Sequence, residues 1–95
     1  MSTLGSFKES LMRAEPEKGW SPVLKSLWYD GKGDWQKAHS EVDHLRDTDS
    51  AWVHAYLHRK EGDLWNADYW YSRAKKVRPQ ISLEEEWEDL VQVFF

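Results

Sequence analysis

The chain predicts an all-α fold, a single domain of about six short antiparallel helices. Two observations lead to this prediction. The dipeptide Gly33-Asp34 returns as Gly62-Asp63, and the apolar residues behind each dipeptide recur at the same offset of 29 residues. No segment alternates apolar and polar residues in the way that a half-buried strand requires. Internal repeats of this length are typical of stacked helical hairpins, because each hairpin buries its apolar face against the next.

The duplication sets the expected organisation of residues 1–95. We expect the first helix-turn-helix repeat at about residues 19–47 and the second at about residues 48–79. A flanking helix at each end would cover the open faces of the stack, and the C-terminal one is expected at about residues 83–95.

Capping signals mark the first two helices. Ser6 and Glu9 have the spacing of a capping box, which predicts a short helix over about residues 7–14. A Ser-Pro pair at residues 21–22 offers an N-cap followed by proline in the first turn, where its missing N–H costs nothing. The second helix is therefore expected to begin there and to run to about Asp30.

The two Gly-Asp turns introduce the third and fifth helices. Asp34 caps a helix expected to end near Arg46, and Asp63 caps a helix that Pro79 closes. Between them, a polar run leads into a fourth helix at about residues 51–61. The apolar face expected for the fifth helix comprises Leu64, Ala67, Trp70, Tyr71, Ala74 and Val77.

A second capping box, from Ser82 to Glu85, opens the last helix. The core positions expected in this helix are Leu83, Trp87, Leu90, Val91 and Phe94. Because all the connecting loops are short, successive helices should be antiparallel neighbours.

The composition restricts the classes of protein to which the chain can belong. Seven Trp, four Tyr and three Phe are present, and each aromatic side chain can bury about 150 to 250 Å² of a small core. The chain has no Cys, which excludes disulfides and zinc sites built from thiolates. A formal net charge of −4 argues against a general nucleic-acid binder, because phosphate contacts need a cationic surface. No segment approaches the roughly 20 apolar residues that span a bilayer, so we expect a cytoplasmic protein without a membrane partner.

The second repeat resembles the tetratricopeptide-repeat family. In that resemblance a small residue of the first helix packs on an alanine of the second, a Gly-Asp turn joins them, and an aromatic residue, an alanine and a proline follow. The positions that carry it are Ala55, Ala67, Gly62, Asp63, Tyr71, Ala74 and Pro79. The first repeat departs from the family by a proline at its start, by Lys25 at a usually apolar position and by a pitch of 29 residues, which is shorter than the usual repeat.

The resemblance implies a groove lined by the first helix of each repeat. The residues that it places on the concave side include Trp20, Trp52, Tyr56, Arg59 and Lys60. An aromatic floor beside an Arg/Lys pair suits an extended peptide or its carboxylate. The alternative is that the terminal helices fill this groove themselves.

His54 and His58 are the candidate metal ligands. They lie one turn apart on the fourth helix, which is how a helix presents two imidazoles to a metal, and Glu61 continues the same face. His39 and Asp43 on the third helix, or Asp68 on the fifth, could complete the set. The alternatives are a polar pocket that binds a ligand and histidines that are simply hydrogen-bonded in or beside the core, because a buried polar group needs a partner.

Trp65 and Tyr69 face away from the core stripe of the fifth helix. Either they pack on the last helix, or they form an exposed patch, which in a soluble protein usually marks an interface. Such a patch would bind a partner protein or a second copy of this chain.

We predict binding rather than catalysis, because repeats of this kind leave one face free to hold a partner. The predicted function is a small protein- or peptide-interaction module with no cofactor. The alternative is a metal- or ligand-binding protein, conceivably an enzyme, with Zn²⁺ or another divalent ion at His54 and His58. A self-associating structural module is the third hypothesis.

Overall fold

Six α-helices form the fold in the computed structural model, which describes residues 3–95. Their bounds are α1 Thr3–Ser10, α2 Pro22–Gly31, α3 Trp35–Val42, α4 Thr48–Glu61, α5 Leu64–Arg73 and α6 Leu83–Phe94. The prediction of an all-α fold with about six helices is confirmed. None of these helices has the length and apolar character that crossing a bilayer requires.

The duplicated segment folds as two hairpins with the same turn. α2 packs on α3 and α4 packs on α5, and the turn glycines take nearly the same left-handed φ, 84° at Gly33 and 88° at Gly62. The side chains of Asp34 and Asp63 then cap the following helices, each by accepting a hydrogen bond from a backbone N–H of the first turn. The repeat seen in the sequence is therefore also a repeat of backbone conformation.

Small side chains let the two helices of each hairpin approach closely. In the first hairpin Ser26 and Ala38 are buried, and Ser26 Oγ donates a hydrogen bond to the Ala38 carbonyl at 2.7 Å. In the second hairpin Ala55 and Ala67 are buried at the equivalent positions. A buried hydroxyl needs a partner, and this carbonyl is what allows serine to stand where the second hairpin has alanine.

Two indole–carbonyl hydrogen bonds attach the terminal helices to α2. Trp28 Nε1 donates to the carbonyl of Ser10 at the end of α1, at 3.0 Å. Trp87 Nε1 of α6 donates to the carbonyl of Leu27, also at 3.0 Å. Both indoles are buried in the main core, so α1 and α6 are held by apolar packing and by directed bonds together.

The first helix begins earlier than predicted. The expected helix over residues 7–14 is wrong, because α1 spans Thr3–Ser10 and Ser6 lies exposed inside it instead of capping it. Phe7 is buried, and Leu4, one turn before it, packs against the same core. This pair of apolar contacts outweighs the local capping signal and extends the helix towards the N-terminus.

The link between the hairpins begins and ends earlier in the chain than predicted. α3 ends at Val42 instead of near Arg46, and α4 begins at Thr48 instead of near residue 51. Asp47 is the N-cap of α4, and its side chain accepts a hydrogen bond from the backbone N–H of Ser50 at 3.0 Å. This cap satisfies a free N–H of the first turn and accounts for the earlier start.

The fifth helix ends earlier than predicted, at Arg73. Lys75 takes a left-handed φ of 61°, and the N–H of Lys76 closes the turn onto the Tyr71 carbonyl at 2.8 Å. This is a helix-terminating turn of the kind that glycine usually makes. Val77, expected on the core face, is 89% exposed, so that expectation was wrong.

We expect Gly33→Ala and Gly62→Ala each to lower the free energy of unfolding by about 1–2 kcal/mol, because an L-residue is strained in the left-handed region. A Cβ at either position would meet nothing within 4 Å, so the cost comes from the backbone alone. Urea unfolding followed by circular dichroism measures it.

Gly19→Ala is the matched control for the two turn variants. A Cβ there also meets open space, but the residue is not left-handed. Its substitution should leave the free energy of unfolding unchanged or slightly raised. Equal stability of all three variants would contradict the shared left-handed turn.

Candidate metal centre

Three histidines from the two hairpins converge on one point. His39 lies on α3, and His54 and His58 lie one turn apart on α4. The Nε2 atom of His54 is 3.1 Å from Nε2 of His39 and 3.0 Å from Nε2 of His58. The pair singled out in the sequence is therefore joined by His39, one of the candidates for a third ligand.

Two tryptophans hold these rings in position. The indole of Trp35 stacks on His39, with ring centroids 4.8 Å apart, and Trp35 Nε1 donates to the Leu57 carbonyl at 2.8 Å. The indole of Trp70 stacks on His54, with ring centroids 4.1 Å apart. Neither tryptophan was predicted to have such a role, although Trp35 precedes His39 by one helical turn, which is a spacing that brings side chains together.

Carboxylates lie on the far side of two of the rings. His58 Nδ1 is 2.6 Å from Glu61 Oε1, and His39 Nδ1 is 3.5 Å from Asp43 Oδ2. An ionised carboxylate only accepts hydrogen bonds, so Glu61, by a hydrogen bond, and Asp43, by its charge alone, favour the neutral tautomer with the proton on Nδ1. Nε2 of His39 and Nε2 of His58 then each direct a lone pair at His54.

Hydrogen bonding does not satisfy His54, which is only 4% exposed. If the proton of His54 is on Nε2, it can be donated to His39 or to His58 but not to both, and the buried Nδ1 of His54 accepts no hydrogen bond. With its proton on Nδ1, the N–H has no acceptor among residues 3–95, and three lone pairs meet. With the proton of His54 on Nδ1, the three Nε2 lone pairs could bind a shared cation.

A proton does not fill this position at neutral pH. Burial, together with repulsion from His58 and His39 in their charged forms, lowers the pKa of His54 to about 4. Burial also lowers the pKa of His39. Burial therefore favours the neutral form of His54 and His39, which is the form that binds metal ions.

The spacing of the nitrogens fits a small metal ion. Zinc–imidazole bonds of about 2.0–2.1 Å in a tetrahedron place two ligand nitrogens about 3.3 Å apart, close to the 3.0 and 3.1 Å seen around His54. The three ligand nitrogens all lie within 4.8 Å of one another, and no fourth His, Asp or Glu of the described chain joins that group.

A neighbouring group of His58, Glu61 and Asp63 is less suited to a metal ion. Glu61 already bonds to His58 Nδ1. Asp63 is the N-cap of α5, and its oxygens accept hydrogen bonds from Asn66 N and Nδ2 at 3.3 and 2.7 Å. Asp68, another predicted third ligand, pairs with Arg78 Nε at 2.9 Å instead of approaching the histidines.

The cationic edge of the predicted groove is occupied by α6. Arg59 Nη1 donates to Glu86 Oε1 at 2.8 Å, and Nη2 donates to the Ile81 carbonyl. Glu86 is buried, and it also accepts a hydrogen bond from the Tyr71 hydroxyl at 2.6 Å. Arg59, predicted to orient a peptide, therefore holds the last helix in place.

The tryptophans predicted to line the groove pack on terminal segments. Trp20 stacks on Phe7 with ring centroids 5.2 Å apart. Trp52 meets Phe94 of α6 edge to face at 5.7 Å, and the Lys76 ammonium lies 4.3 Å from the centre of the Trp52 ring. The terminal helices cover this side, which is the alternative that the sequence left open.

Trp65 and Tyr69 lie on the exposed side of α5. Trp65 is 78% exposed, and Tyr69 is also exposed and accepts a hydrogen bond from Arg73 at 3.1 Å. Of the two options left by the sequence, the structure shows the exposed patch. Binding of a protein, a peptide or a second copy to it stays a prediction.

No protein-family model, curated protein or solved structure matches this chain. The tetratricopeptide-repeat resemblance therefore stays a prediction, carried by the small residues and the turns of the two hairpins. The chemistry of the histidine cluster follows from its own geometry.

We expect the metal-free protein to lose up to about 2 kcal/mol of stability between pH 7 and pH 5. The folded pKa of His54 is about 4, below the value of about 6.5 for an unfolded histidine. The unfolded chain therefore takes up a proton over this range while the folded chain does not, and stability falls as the pH falls. Urea unfolding in EDTA at several pH values measures the slope.

His54→Leu should remove most of this pH dependence. His44 is exposed and pairs with Asp43 outside the cluster, so His44→Ala should keep it. A stability profile of the unsubstituted protein that is flat from pH 7 to 5 would contradict a buried neutral His54.

Proposed function

We propose that this protein binds one divalent transition-metal ion through Nε2 of His39, His54 and His58, and that zinc is the ion its geometry fits best. The observation that supports the proposal is the convergence of three imidazole nitrogens, with distances of 3.0 and 3.1 Å around His54. Hydrogen bonds leave this contact unsatisfied, and a shared metal ion would satisfy all three nitrogens.

Imidazole is a ligand of intermediate softness, which suits Zn²⁺, Cu²⁺ and Ni²⁺ better than Mg²⁺ or Ca²⁺. The two nitrogen distances around His54 are close to tetrahedral spacing and favour zinc, whose filled d shell accepts that geometry without cost. The described residues supply no fourth ligand. A water molecule or another small ligand would complete the coordination, as it does in zinc sites with three protein ligands.

The carboxylates of Glu61 and Asp43 support the proposed centre from outside it. A carboxylate on the far nitrogen of a ligating histidine orients the ring and raises the basicity of the nitrogen that binds the metal. Glu61 does this for His58 at 2.6 Å, and Asp43 lies 3.5 Å from His39. His54 has no such carboxylate, and its orientation comes from the stacked Trp70.

The metal would join the two hairpins. His39 belongs to the first hairpin, and His54 and His58 belong to the second. An ion that binds only when the hairpins are docked adds its binding free energy to folding. The proposed function therefore includes a structural effect: the ion would hold α3 against α4.

Zinc should raise the midpoint of thermal unfolding by on the order of 10 °C when it is present at a hundredfold excess over its dissociation constant, because that excess adds about 2.7 kcal/mol of stability. Calorimetric titration should give one ion per chain. His39→Gln should weaken zinc binding by about a hundredfold or more, since it removes a direct ligand from an accessible part of the cluster.

His44→Ala supplies the matched control, because it removes a histidine that lies two residues beyond the end of α3 and does not touch the three Nε2 atoms. Zinc binding should be retained in that variant. Absence of bound zinc in the unsubstituted protein, or equal binding by His39→Gln, would refute the proposed metal centre.

A further inference from the structure

A second candidate site lies at the end of α5, beside the link to α6. A cavity of about 730 Å³ opens there, and this volume falls within the range of sites for small organic molecules, about 300–1,000 Å³. None of the three candidate metal ligands lines it. The residues that line it belong to α5 and to the link that follows: Asp68, Tyr71, Ser72, Lys75, Lys76, Val77, Arg78, Pro79 and Gln80.

The side chains that line this cavity carry a net positive charge. Lys75, Lys76 and Arg78 supply three cations, against the single carboxylate of Asp68. Arg78 pairs with that carboxylate through Nε at 2.9 Å and Nη2 at 3.4 Å, so the N–H donors on Nη1 are left. Neither lysine forms an ion pair within the described chain. The Lys76 ammonium contacts the ring of Trp52, which leaves its charge without a counterion.

The cations of a smaller cavity are paired instead. That cavity, of about 420 Å³, lies where the ends of α1, α2 and α4 meet the start of α6. Lys60 Nζ bonds to the buried Asp30 at 2.9 Å, and the Tyr56 hydroxyl donates to the other oxygen of Asp30 at 2.6 Å. Lys8, which also lines that cavity, pairs with Glu88 at 2.7 Å. Tyr56 and Lys60, predicted to line a peptide groove, are therefore bonded within the chain, and of these two cavities the one beside α5 has the unpaired cations.

Lys75 has a backbone conformation that does not favour lysine. Its φ of 61° is the only positive φ of a residue other than glycine in the part of the chain that the structure describes. Glycine adopts this conformation at lower cost, and it is the usual residue at such a helix end. Strained residues are concentrated at functional sites. Stability does not account for a lysine at this position, whereas a ligand for its ammonium would.

The backbone of the link adds hydrogen-bond donors. Free carbonyls at the end of α5 would repel an anion, but the carbonyls of residues 70–72 already accept hydrogen bonds from the N–H groups of residues 74–76. The N–H groups of Val77, Arg78 and Gln80 bond to no acceptor among the described residues. Because these three residues line the cavity, an anion there would find donors on the main chain as well as on the side chains.

We infer that this cavity binds an organic molecule that carries a phosphate monoester. Such a group has nearly two negative charges at neutral pH and three strong acceptor oxygens, which match the two unpaired cations and the N–H donors. Lys75 and Arg78 would hold the phosphate, since ammonium and guanidinium groups both bind phosphate oxygens. The volume leaves room for the organic group beside Val77 and Pro79. The site uses none of the proposed metal ligands, so it stands or falls independently of the metal centre.

Three probes test the inference by calorimetric titration: phenyl phosphate, phenyl sulfate and inorganic phosphate, at a pH well above the second pKa of a phosphate ester, about 6. The protein is first stripped of metal with EDTA and dialysed free of it, because phosphate binds zinc and EDTA is itself an anion. Phenyl phosphate should bind once per chain. It should bind at least about fivefold more tightly than phenyl sulfate, which has a similar shape but one negative charge fewer. Inorganic phosphate, which lacks the organic group, should also bind at least about fivefold more weakly than phenyl phosphate.

Lys75→Gly is the diagnostic variant, because it separates binding from stability. It removes the ammonium, so phenyl phosphate binding should weaken about tenfold. It also relieves the left-handed strain, so the midpoint of thermal unfolding should rise by about 2–5 °C. Lys37→Gln, on α3 beside Tyr29, is the charge-matched control. It removes one positive charge away from the cavity and should leave binding unchanged.

Each of five results would overturn the inference: no binding of phenyl phosphate, equally tight binding of phenyl sulfate or inorganic phosphate, unchanged binding in Lys75→Gly, no gain of thermal stability in Lys75→Gly, or equal weakening in Lys37→Gln. None of these results bears on zinc binding at the three histidines.

Discussion

The close approach of the two helices in each hairpin is the constraint on which the rest of the structure depends. Ser26 against Ala38, and Ala55 against Ala67, leave no side chain large enough to hold the helices apart. The two hairpins are therefore narrow, and they can dock with α3 beside α4. That contact is what brings His39 to the histidines of α4, so the candidate metal centre follows from where the smallest side chains lie.

The sequence predicted the features that depend on local or repeated signals. The helix count, the two Gly-Asp turns and the capping box at Ser82 all follow from spacing alone. The early start of α1 and the exposure of Val77 could not be predicted in this way, because packing of Leu4 and a turn at Lys75 override the periodic pattern. For the metal site the sequence supplied His54 and His58 and left the third ligand open. Choosing His39 over Asp68 requires the docking of the hairpins, which no local pattern encodes.

The last helix decides what the concave side can do. The concave side of a stack of only two hairpins is apolar and has few neighbouring helices, and α6 packs against it. The buried Glu86 satisfies Arg59 and Tyr71 together, and Trp87 fills the adjoining space. Cations that a longer repeat stack would offer to a peptide are neutralised within the chain, and the remaining cavity is small and local.

The histidine cluster also marks where the two halves of the duplication have diverged. At the 29-residue offset, His39 corresponds to Asp68, His54 to Lys25 and His58 to Tyr29. The two surfaces that meet between α3 and α4 therefore differ, and each hairpin contributes histidines that the other hairpin lacks at the equivalent positions. Lengthening the array by copying either hairpin would extend the stack without creating another such cluster, since only this one junction pairs the two faces that its three rings require.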